Sequence, residues 1–399
     1  MRLLFVYETR FKQDDQGNLY TDGGLNNSVW SRYFSVADNV SVVSKLDEEV
    51  FPEAYAKEKF NPFDNPNMSF IRIPDYYQSL LTYLNPLTWK QIRDTLTKEI
   101  SQSDYVIVRM PSSVARIACR IARRYRKPYL IEAVGCPWDS FWNFGTLKGR
   151  IYAPISVLSM RESIRKAPFV LYVSRRFLQN RYPTKGKQVA CPDVVLAEPE
   201  DEVLLKRLRK IADLHSRDKV VLGLIGSLNV SYRGHETAIK VLEKLDDQRF
   251  CFRFLGPGNK EKWIELARDR SVDQQLEFSG VLPTGQPVMN WIDDIDILVM
   301  PTKQETLGRA IIEAMSRGCP VIGSIETAIS EQIGSDCVCS ASDDQAIAEI
   351  IQRMVTDPDY MSYCAKENFY RSFKYTNKQT EKIRAKFFAD FRESGMVKN

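Results

Sequence analysis

Histidine is almost missing from this sequence, since only His215 and His235 occur among its 399 residues. Serine- and cysteine-based catalytic triads use an imidazole as their general base, and many zinc sites use imidazoles as ligands. The scarcity of histidine therefore argues against both kinds of site.

Long hydrophobic runs are missing as well. No apolar stretch approaches the roughly 20 residues that a membrane-spanning helix needs. The first residues, MRLLFVYETRF, become polar too soon for a secretory signal. We therefore expect a cytoplasmic protein whose first residues form a buried strand.

The eight cysteines are scattered along the chain, and only Cys337 and Cys339 are close together. One C-x-C pair without a second pair or neighbouring histidines is weak evidence for a metal site. We expect reduced, buried thiols and no metal site.

What the sequence does contain is an alternation of short apolar runs with helical patterns. The runs lie at 3–8, 40–44, 69–73, 105–110, 128–134 and 169–174, and then at 220–228, 251–258, 276–280, 296–302 and 319–324. This alternation is typical of parallel, doubly wound α/β sheets. We predict two Rossmann-like domains: an acceptor-binding domain over 1–185, a linker over 186–217, a donor-binding domain over 218–373, and a helical segment over 374–399 that packs back on the first domain.

Two glutamates lie just after one predicted strand, in the stretch ETLGRAIIEAMSRG. Ligands of doubly wound folds bind where strands end, and the predicted strand 296–302 ends at a loop that carries Glu305. Glu313 lies slightly over two helical turns further on, on the same side, where its carboxylate can accept hydrogen bonds from a ribose. The N–H groups that begin the helix can bind a phosphate; they belong to Thr306, Leu307 and Gly308.

Two other strand ends carry suitable residues. Gly226 and Ser227 end a strand, and Arg233 follows in the loop, where its permanent positive charge suits a diphosphate. Gly23 and Gly24 follow the first strand. They lack the G-x-G-x-x-G spacing of a dinucleotide fingerprint, but they allow a diphosphate or a sugar to approach the backbone.

The stretch PTKQETLGRAIIEAMSRGCPVIGS resembles the glutamate–seven–glutamate signature of the retaining family 4, or group 1, glycosyltransferases, which have the GT-B fold. Similarly, IGSLNVSYRG resembles their phosphate-binding strand and loop, LGPGN their mid-domain turn, FSGVLP the stretch beside the nucleobase, and GGLNN their first glycine loop. The resemblance is strong over residues 220–335 and diffuse over the first half. It implies two Rossmann-like domains facing each other across a cleft, with a nucleotide diphosphate sugar held mainly by the second.

The resemblance also implies roles for individual residues. Glu313 would bind the ribose hydroxyls, Arg233 the diphosphate, and Glu305 the transferred sugar near its reacting carbon. Backbone N–H groups of residues 306–308 would stabilise the leaving diphosphate. The other donor-binding candidates are Gly23, Gly24, Gly226, Ser227, Gly256 and Val281.

The sequence departs from the family pattern in two places. Ser227 stands where many members have a second phosphate-binding arginine, and Arg309 or Arg109 would have to replace it. The loop GCPWDSFW lacks the histidine that many members place near the donor sugar, so its one acid, Asp139, is a candidate catalytic residue. Asp294 and Asp296 form the D-x-D pattern of metal-dependent glycosyltransferases, but they precede a strand and so lie at the wrong edge. We therefore expect transfer without a metal ion.

The first half is strongly basic, since residues 101–190 contain 17 Lys/Arg and four Asp/Glu. One basic helix face is predicted within 111–129, and it is either simply solvated or in contact with anionic phospholipid. Further basic residues that could join it are Arg161, Arg165, Lys166, Arg175 and Arg176. No nucleic-acid-binding motif is present.

We predict a retaining glycosyltransferase that moves a sugar to a glycan or lipid-linked saccharide, in bacterial surface polysaccharide synthesis. The acceptor would bind near Tyr76, Tyr77 or Trp138. Two alternatives remain: a nucleotide-sugar 2-epimerase of the same shape, which normally needs further acid/base residues, and a non-enzymatic hinged sugar-binding protein. The second would not require the pair Glu305 and Glu313.

Overall fold

A computed structural model describes residues 1–143 and 146–396 of the protein. The strands of the first half are β1 (Arg2–Asp14), β2 (Leu19–Thr21), β3 (Asn39–Phe51), β4 (Asn61–Pro62), β5 (Met68–Arg72), β6 (Tyr105–Met110), β7 (Tyr129–Ala133), β8 (Phe169–Tyr172) and β9 (Lys187–Ala190). Those of the second half are β10 (Val220–Ile225), β11 (Phe250–Leu255), β12 (Leu276–Phe278), β13 (Ile297–Met300), β14 (Val321–Ser324) and β15 (Val338–Cys339).

Helices connect these strands and cover both sheets. Those of the first half are α1 (Asn27–Trp30), α2 (Glu53–Lys59), α3 (Leu80–Leu84), α4 (Pro86–Ser101), α5 (Ser113–Arg124), α6 (Pro137–Trp142), α7 (Leu147–Arg165) and α8 (Phe177–Arg181). Those of the second half are α9 (Asp201–Ala212), α10 (His235–Leu245), α11 (Glu261–Arg268), α12 (Gln286–Asp294), α13 (Arg309–Ser316), α14 (Asp344–Thr356), α15 (Pro358–Ser372) and α16 (Asn377–Met396).

Two separate sheets result, as the alternation of apolar runs predicted. In the first sheet the parallel strands run in the order β5-β3-β1-β6-β7-β8-β9, while β2 pairs antiparallel with the far end of β1 and β4 with β2. The second sheet is parallel in the order β12-β11-β10-β13-β14-β15. The prediction of an α/β protein with two parallel-sheet domains is therefore confirmed.

The strand ends differ from the predicted ones in both directions. β1 continues past the predicted residue 8 to Asp14, because its far part pairs with β2 and β3. In the second domain β10 ends at Ile225 and β13 at Met300, two or three residues earlier than predicted. The residues released in this way form the loops at the carboxyl edge of the sheet.

The predicted linker 186–217 is too wide. Its first part forms β9, which pairs with β8 in the first sheet. Its last part forms α9, which packs on the second domain, where the buried Arg207 donates hydrogen bonds to the carbonyl oxygens of Ile292 (2.8 Å) and Ile295 (2.6 Å). The segment 191–200 therefore crosses from the first domain to the second.

The last helix, α16, follows the second domain in sequence but packs on the first. Phe387, Phe388 and Phe391 are buried in the same apolar cluster as Leu3 and Phe5 of β1. This helix therefore completes the core of the first domain.

The described residues contain no helix with the length and apolar character needed to cross a membrane. All eight cysteines are free thiols, and only Cys339 is partly exposed.

His235 begins α10 inside the core of the second domain. Its ring stacks on Trp263, with ring centroids 5.1 Å apart, and neither ring nitrogen has a hydrogen-bond partner among the described residues. Burial, with smaller contributions from Arg233 and Lys262, lowers the pKa of His235 from 6.5 to about 4. The folded protein therefore holds this ring neutral at pH values at which the unfolded chain binds a proton.

We predict that His235 makes the folded state less stable as the pH falls from 7 toward 4. Between pH 7 and pH 4.5 this group should remove about 2 kcal/mol from the free energy of unfolding, because the unfolded chain gains a proton that the folded chain does not. Over the same pH range, the free energy of unfolding of the His235→Phe variant should fall by about 2 kcal/mol less than that of the wild type. Urea denaturation at both pH values measures this difference. The same substitution at the exposed His215 is the control, and equal losses in wild type and His235→Phe would contradict the prediction.

Candidate active site

A cleft of about 740 Å³ lies between the two domains, at the carboxyl ends of both sheets. Most of the predicted site residues line it: Gly23, Gly24, Gly226, Ser227, Arg233, Gly256, Val281, Glu305, Thr306, Leu307 and Glu313. Gly308 lies next to them in the chain but does not line the cleft, and neither does Asp139. The fold thus brings together residues that are nearly 300 positions apart in the sequence.

Gly308 sets the direction of α13, which carries Glu313. It precedes the first helical residue with a φ of +67°, in the left-handed region that favours glycine. A Cβ atom at this position would lie 2.7 Å from Oε1 of Gln332. The turn from the loop into α13 therefore depends on glycine for both its backbone conformation and its space.

Glu313 is a half-buried carboxylate that accepts no hydrogen bond from any described residue. Burial raises its pKa, and the positive charge of Arg309 partly opposes that rise. A partly buried carboxylate without a partner is costly, because it has lost water without gaining donors. This side chain is thus available to accept hydrogen bonds from hydroxyl groups of a ligand.

Both carboxylate oxygens of Glu305 accept hydrogen bonds from the protein. Oε2 accepts a hydrogen bond from Nη1 of Arg233 at 3.0 Å, in an ion pair. Oε1 accepts from the backbone N–H groups of Thr306 (3.1 Å) and Leu307 (3.3 Å). These two N–H groups, which were expected to bind a phosphate, are therefore occupied in this structure by Glu305 itself. A phosphate that binds them has to displace the carboxylate.

Arg233 reaches the cleft because Gly226 has no side chain. A Cβ atom on Gly226 would lie 3.0–3.2 Å from the Cβ, Cγ and Cδ atoms of Arg233. Gly226 in turn lies directly against the next strand end, where a Cβ atom on Gly256 would lie 2.2 Å from its carbonyl oxygen. The two glycines thus let the arginine stem and the two strand ends pack together.

The structure distinguishes the two arginines that could replace the cation missing at Ser227. The guanidinium of Arg109 is already paired, with Glu132 at 2.8 Å and with Asp193 at 3.0 Å. Arg309 lines the cleft and forms no ion pair with any described residue. Its Nη1 lies close to Gly24, since a Cβ atom there would be 3.3 Å from it. Arg309 is therefore the cation available to a bound anion, and it reaches across the cleft to the first domain.

Asp139 is not in the cleft, which corrects the prediction that it is catalytic. The loop after β7 coils into α6, and this turn buries Asp139. Both carboxylate oxygens accept hydrogen bonds from Nη1 of Arg181, at 2.8 and 3.0 Å. Asp139 thus forms a structural ion pair within the first domain.

Asp296, the second acid of the D-x-D pattern, lies at the opposite edge of the second sheet. It is buried, and its oxygens accept from Arg217 at 2.7 and 3.1 Å and from the backbone N–H of Val221 at 2.7 Å. Lys210 lies 3.2 Å away. The negative charge of Asp296 is therefore compensated by Arg217 and Lys210. Over residues 1–143 and 146–396, no group of three His, Cys, Asp or Glu side chains could hold a metal ion.

The sequence analysis missed Asp193, which lines the cleft from the segment that crosses between the domains. Burial alone would raise its pKa, but Arg109 and Arg32 outweigh burial and lower the pKa to about 2. No local motif marks this residue, because its partners lie 84 and 161 positions away.

Comparison with known proteins agrees with this geometry. Residues 219–357 match the family model described as glycosyl transferases group 1. Protein CapJ of Staphylococcus aureus is 27% identical over 370 residues, which cover 92% of this chain and 90% of CapJ. The part of the chain that forms most of the second domain, residues 219–357, thus has the sequence of a group 1 glycosyltransferase. The non-enzymatic sugar-binding alternative is thereby removed.

Solved structures show which fold this glycosyltransferase has. HepE of Anabaena, crystallised with UDP, superimposes with a TM-score of 0.66 at 13% identity, covering 98% of this chain and 100% of HepE. WaaG, a glycosyltransferase involved in lipopolysaccharide biosynthesis, superimposes with a TM-score of 0.62 at 13% identity, covering 98% and 99% of the two chains. The predicted GT-B fold is confirmed.

We predict that Glu305→Gln binds a nucleoside diphosphate about three- to tenfold more tightly than the wild type. The amide carries no negative charge to repel the diphosphate and holds Arg233 less strongly, so the guanidinium is released at lower cost. Isothermal titration calorimetry measures the difference. Glu349→Gln on the exposed face of α14 is the matched control, and weaker binding by Glu305→Gln would show that Glu305 does not compete with the anion.

We also predict that Arg309→Met weakens binding of a nucleoside diphosphate by about 10- to 100-fold, because one charge-assisted contact to the diphosphate is lost. Affinity for the corresponding nucleoside, which has no phosphate, should stay unchanged. Adding Ser227→Arg to Arg309→Met should restore part of the affinity by supplying a cation at the other strand end. Equal weakening for nucleoside and nucleoside diphosphate would contradict the assignment of Arg309 to the phosphates.

Proposed function

We propose that this glycosyltransferase moves a sugar from a nucleoside diphosphate sugar to a hydroxyl group of a glycan or lipid-linked saccharide, with retention of configuration at the anomeric carbon. The proposal depends on two charged groups of the cleft that have no partner among the described residues: the carboxylate of Glu313 and, one helical turn before it, the guanidinium of Arg309. Arg233 lines the same cleft. A carboxylate that can accept hydrogen bonds from hydroxyl groups, beside two cations, matches a ribose linked to a diphosphate.

The donor would lie along the second-domain wall of the cleft. We assign the ribose to Glu313, the nucleobase to the strand ends at Gly256 and Val281, and the diphosphate to the space between Arg233 and Arg309. The sugar would then lie near Glu305 and the glycine loop of the first domain. The structure of HepE with UDP supports a nucleoside diphosphate as the ligand class.

The proposed transfer breaks the bond between the anomeric carbon and the β-phosphate oxygen. The acceptor oxygen forms its bond to the same carbon on the same face, and the acceptor's hydroxyl proton goes to the departing phosphate oxygen. Arg233, Arg309 and the N–H groups of Thr306 and Leu307 would stabilise the negative charge that develops on the diphosphate. With two guanidinium groups in place, we propose that the reaction needs no metal ion.

A second cavity, of about 170 Å³, lies in the first domain and is proposed as the entry for the acceptor. Its lining combines aromatic rings with hydroxyl groups, which suits a saccharide. These residues include Tyr77, Tyr83, Tyr152, Ser112, Ser113 and Ser159. Of the predicted acceptor contacts, Tyr77 lines this cavity, whereas Tyr76 is fully buried and Trp138 lies outside the lining.

We further propose that the acceptor is part of a bacterial surface polysaccharide and that the enzyme works at the cytoplasmic face of a membrane, through its basic first domain. The structural similarity to WaaG supports this role. The basic residues do not all share one face, however. Arg175 and Arg176 lie at the domain boundary, where their backbone N–H groups donate to Glu331 of the second domain at 2.6 and 2.8 Å.

The first test is thermal stabilisation of the purified chain by UDP, GDP, ADP, TDP and CMP, with and without magnesium. We expect one nucleoside diphosphate to raise the melting temperature, no dependence on magnesium, and loss of the effect in Glu313→Ala and Arg233→Ala. The matching nucleotide sugars should then be hydrolysed slowly, and Glu305→Ala should abolish this turnover. If no nucleotide or nucleotide sugar changes the melting temperature, the proposed donor site is wrong.

A further inference from the structure

Helix α7 carries an apolar stripe that faces outward. Leu147, Ile151, Ile155 and Leu158 are between 56% and 75% exposed, and Pro154 between them is exposed too. At 3.6 residues per turn these five side chains fall within an arc of about 100°, over a length of about 16 Å. The opposite side of the helix is buried through Ala153, Met160 and Ile164. A stripe of this width normally faces the core of a soluble domain, so its exposure calls for a partner.

Further exposed apolar residues adjoin α7. Leu81 and Leu84 of α3 are 83% and 64% exposed, and the hydroxyl of Tyr83 in the same helix bonds that of Tyr152 in α7 at 3.1 Å. In α6, which packs against α7, the half-exposed rings of Trp138 and Trp142 stack with centroids 4.7 Å apart. We define the apolar face as the α7 stripe together with Leu81, Leu84, Trp138 and Trp142. Tryptophan side chains of this kind favour the boundary between hydrocarbon and water.

Basic residues surround the apolar face. Exposed cations lie at both ends of the α7 stripe: Lys148, Arg150, Arg161, Arg165 and Lys166. Helix α5 lies beside it, since Arg116 donates to Ser159 of α7 at 3.1 Å and Arg120 lies 3.7 Å from Glu162. Residues 111–129, which include α5, contain six Lys/Arg and no Asp/Glu.

This combination decides between two possible partners. If a second copy of the chain covered the apolar face, two basic rims of the same sign would be brought together, which is unfavourable. A bilayer that contains anionic phospholipid offers hydrocarbon to the leucines and isoleucines and negative head groups to the rim. Interfacial helices have this arrangement of an apolar stripe flanked by cations.

We propose that the apolar face inserts into the surface of an anionic phospholipid bilayer, with the basic rim against the head groups. The inference deepens the proposed function, because it rests on a lipid-linked acceptor and names the surface that meets it. Ile155 belongs both to the stripe and to the lining of the 170 Å³ cavity. The proposed acceptor cavity therefore opens beside the membrane-facing stripe, where a lipid-linked saccharide would arrive.

The test is flotation of the full chain with phosphatidylcholine vesicles, with and without phosphatidylglycerol, at about 0.1 M and 1 M sodium chloride. Raising the salt shortens the screening length from about 10 to 3 Å and weakens purely electrostatic attachment. We expect binding to the anionic vesicles that persists in part at 1 M salt, because the inserted side chains are not screened. The triple variant Leu147→Ser/Ile151→Ser/Leu158→Ser should bind at least about tenfold more weakly.

The matched control is Val50→Ser/Val195→Ser/Leu205→Ser, which removes three exposed apolar side chains elsewhere and should bind like the wild type. Wild-type binding by the stripe variant, or complete loss of wild-type binding at 1 M salt, would overturn insertion. A wild-type dimer that the stripe variant converts to a monomer, without vesicle binding by either, would assign the apolar face to a second copy. Nucleotide-induced stabilisation is measured on the same samples, and because the stripe lies outside the donor cleft, it should be equal in all three proteins. A failure of the donor site is thereby separated from a failure of the membrane surface.

Discussion

The loop from Pro301 to Gly308 is the constraint on which the site depends, because it connects both domains at the cleft. Its Thr306 hydroxyl donates to the carbonyl oxygen of Val134 in the first domain at 3.1 Å, and the carbonyl oxygen of Lys303 accepts from Asn143 at 3.1 Å. The same loop holds Glu305 against Arg233 and ends at the left-handed Gly308. A movement of one domain against the other would therefore act directly on the residues proposed to bind the sugar and the diphosphate.

The charged groups of the cleft differ in whether the protein itself supplies partners for them. Arg109 is neutralised by two carboxylates, and Glu305 is bound by a guanidinium and two N–H groups. Arg309 and Glu313 have no such partners among the described residues. Because unpaired charges in a partly buried cleft are unfavourable, the unsatisfied pair marks where a ligand gains most. Glu305 adds a second feature, since its carboxylate occupies the two backbone N–H groups that the diphosphate of the donor is proposed to use.

Helix α6 links the proposed membrane surface to the domain boundary, and this surface shares no residue with the lining of the donor cleft. Helix α6 contacts the second domain through Ser140, whose hydroxyl lies 3.4 Å from Nε2 of Gln304, while its tryptophans belong to the apolar face. The acceptor cavity is lined by Ser140 and by Ile155 of the stripe. A saccharide anchored in lipid could therefore reach the loop that carries Glu305 while its lipid stays in the bilayer.

The sequence by itself determined the α/β class, nearly all the larger strands, and the positions of Glu305, Glu313 and Arg233 at strand ends, because periodicity and short spacings act locally. It did not predict α9, α12 or α15, although α15 begins with a local signal, the capping Asp357 followed by Pro358. Only the tertiary structure decided which charges pair. Asp139 binds Arg181, 42 positions away, and Arg109 binds Asp193, 84 positions away. These ion pairs argue against Asp139 as a catalytic residue and against Arg109 as the substitute for the cation missing at Ser227. Periodicity likewise identifies an apolar helix face, but only packing decides whether the rest of the domain covers that face. The apolar stripe of α7 stays exposed.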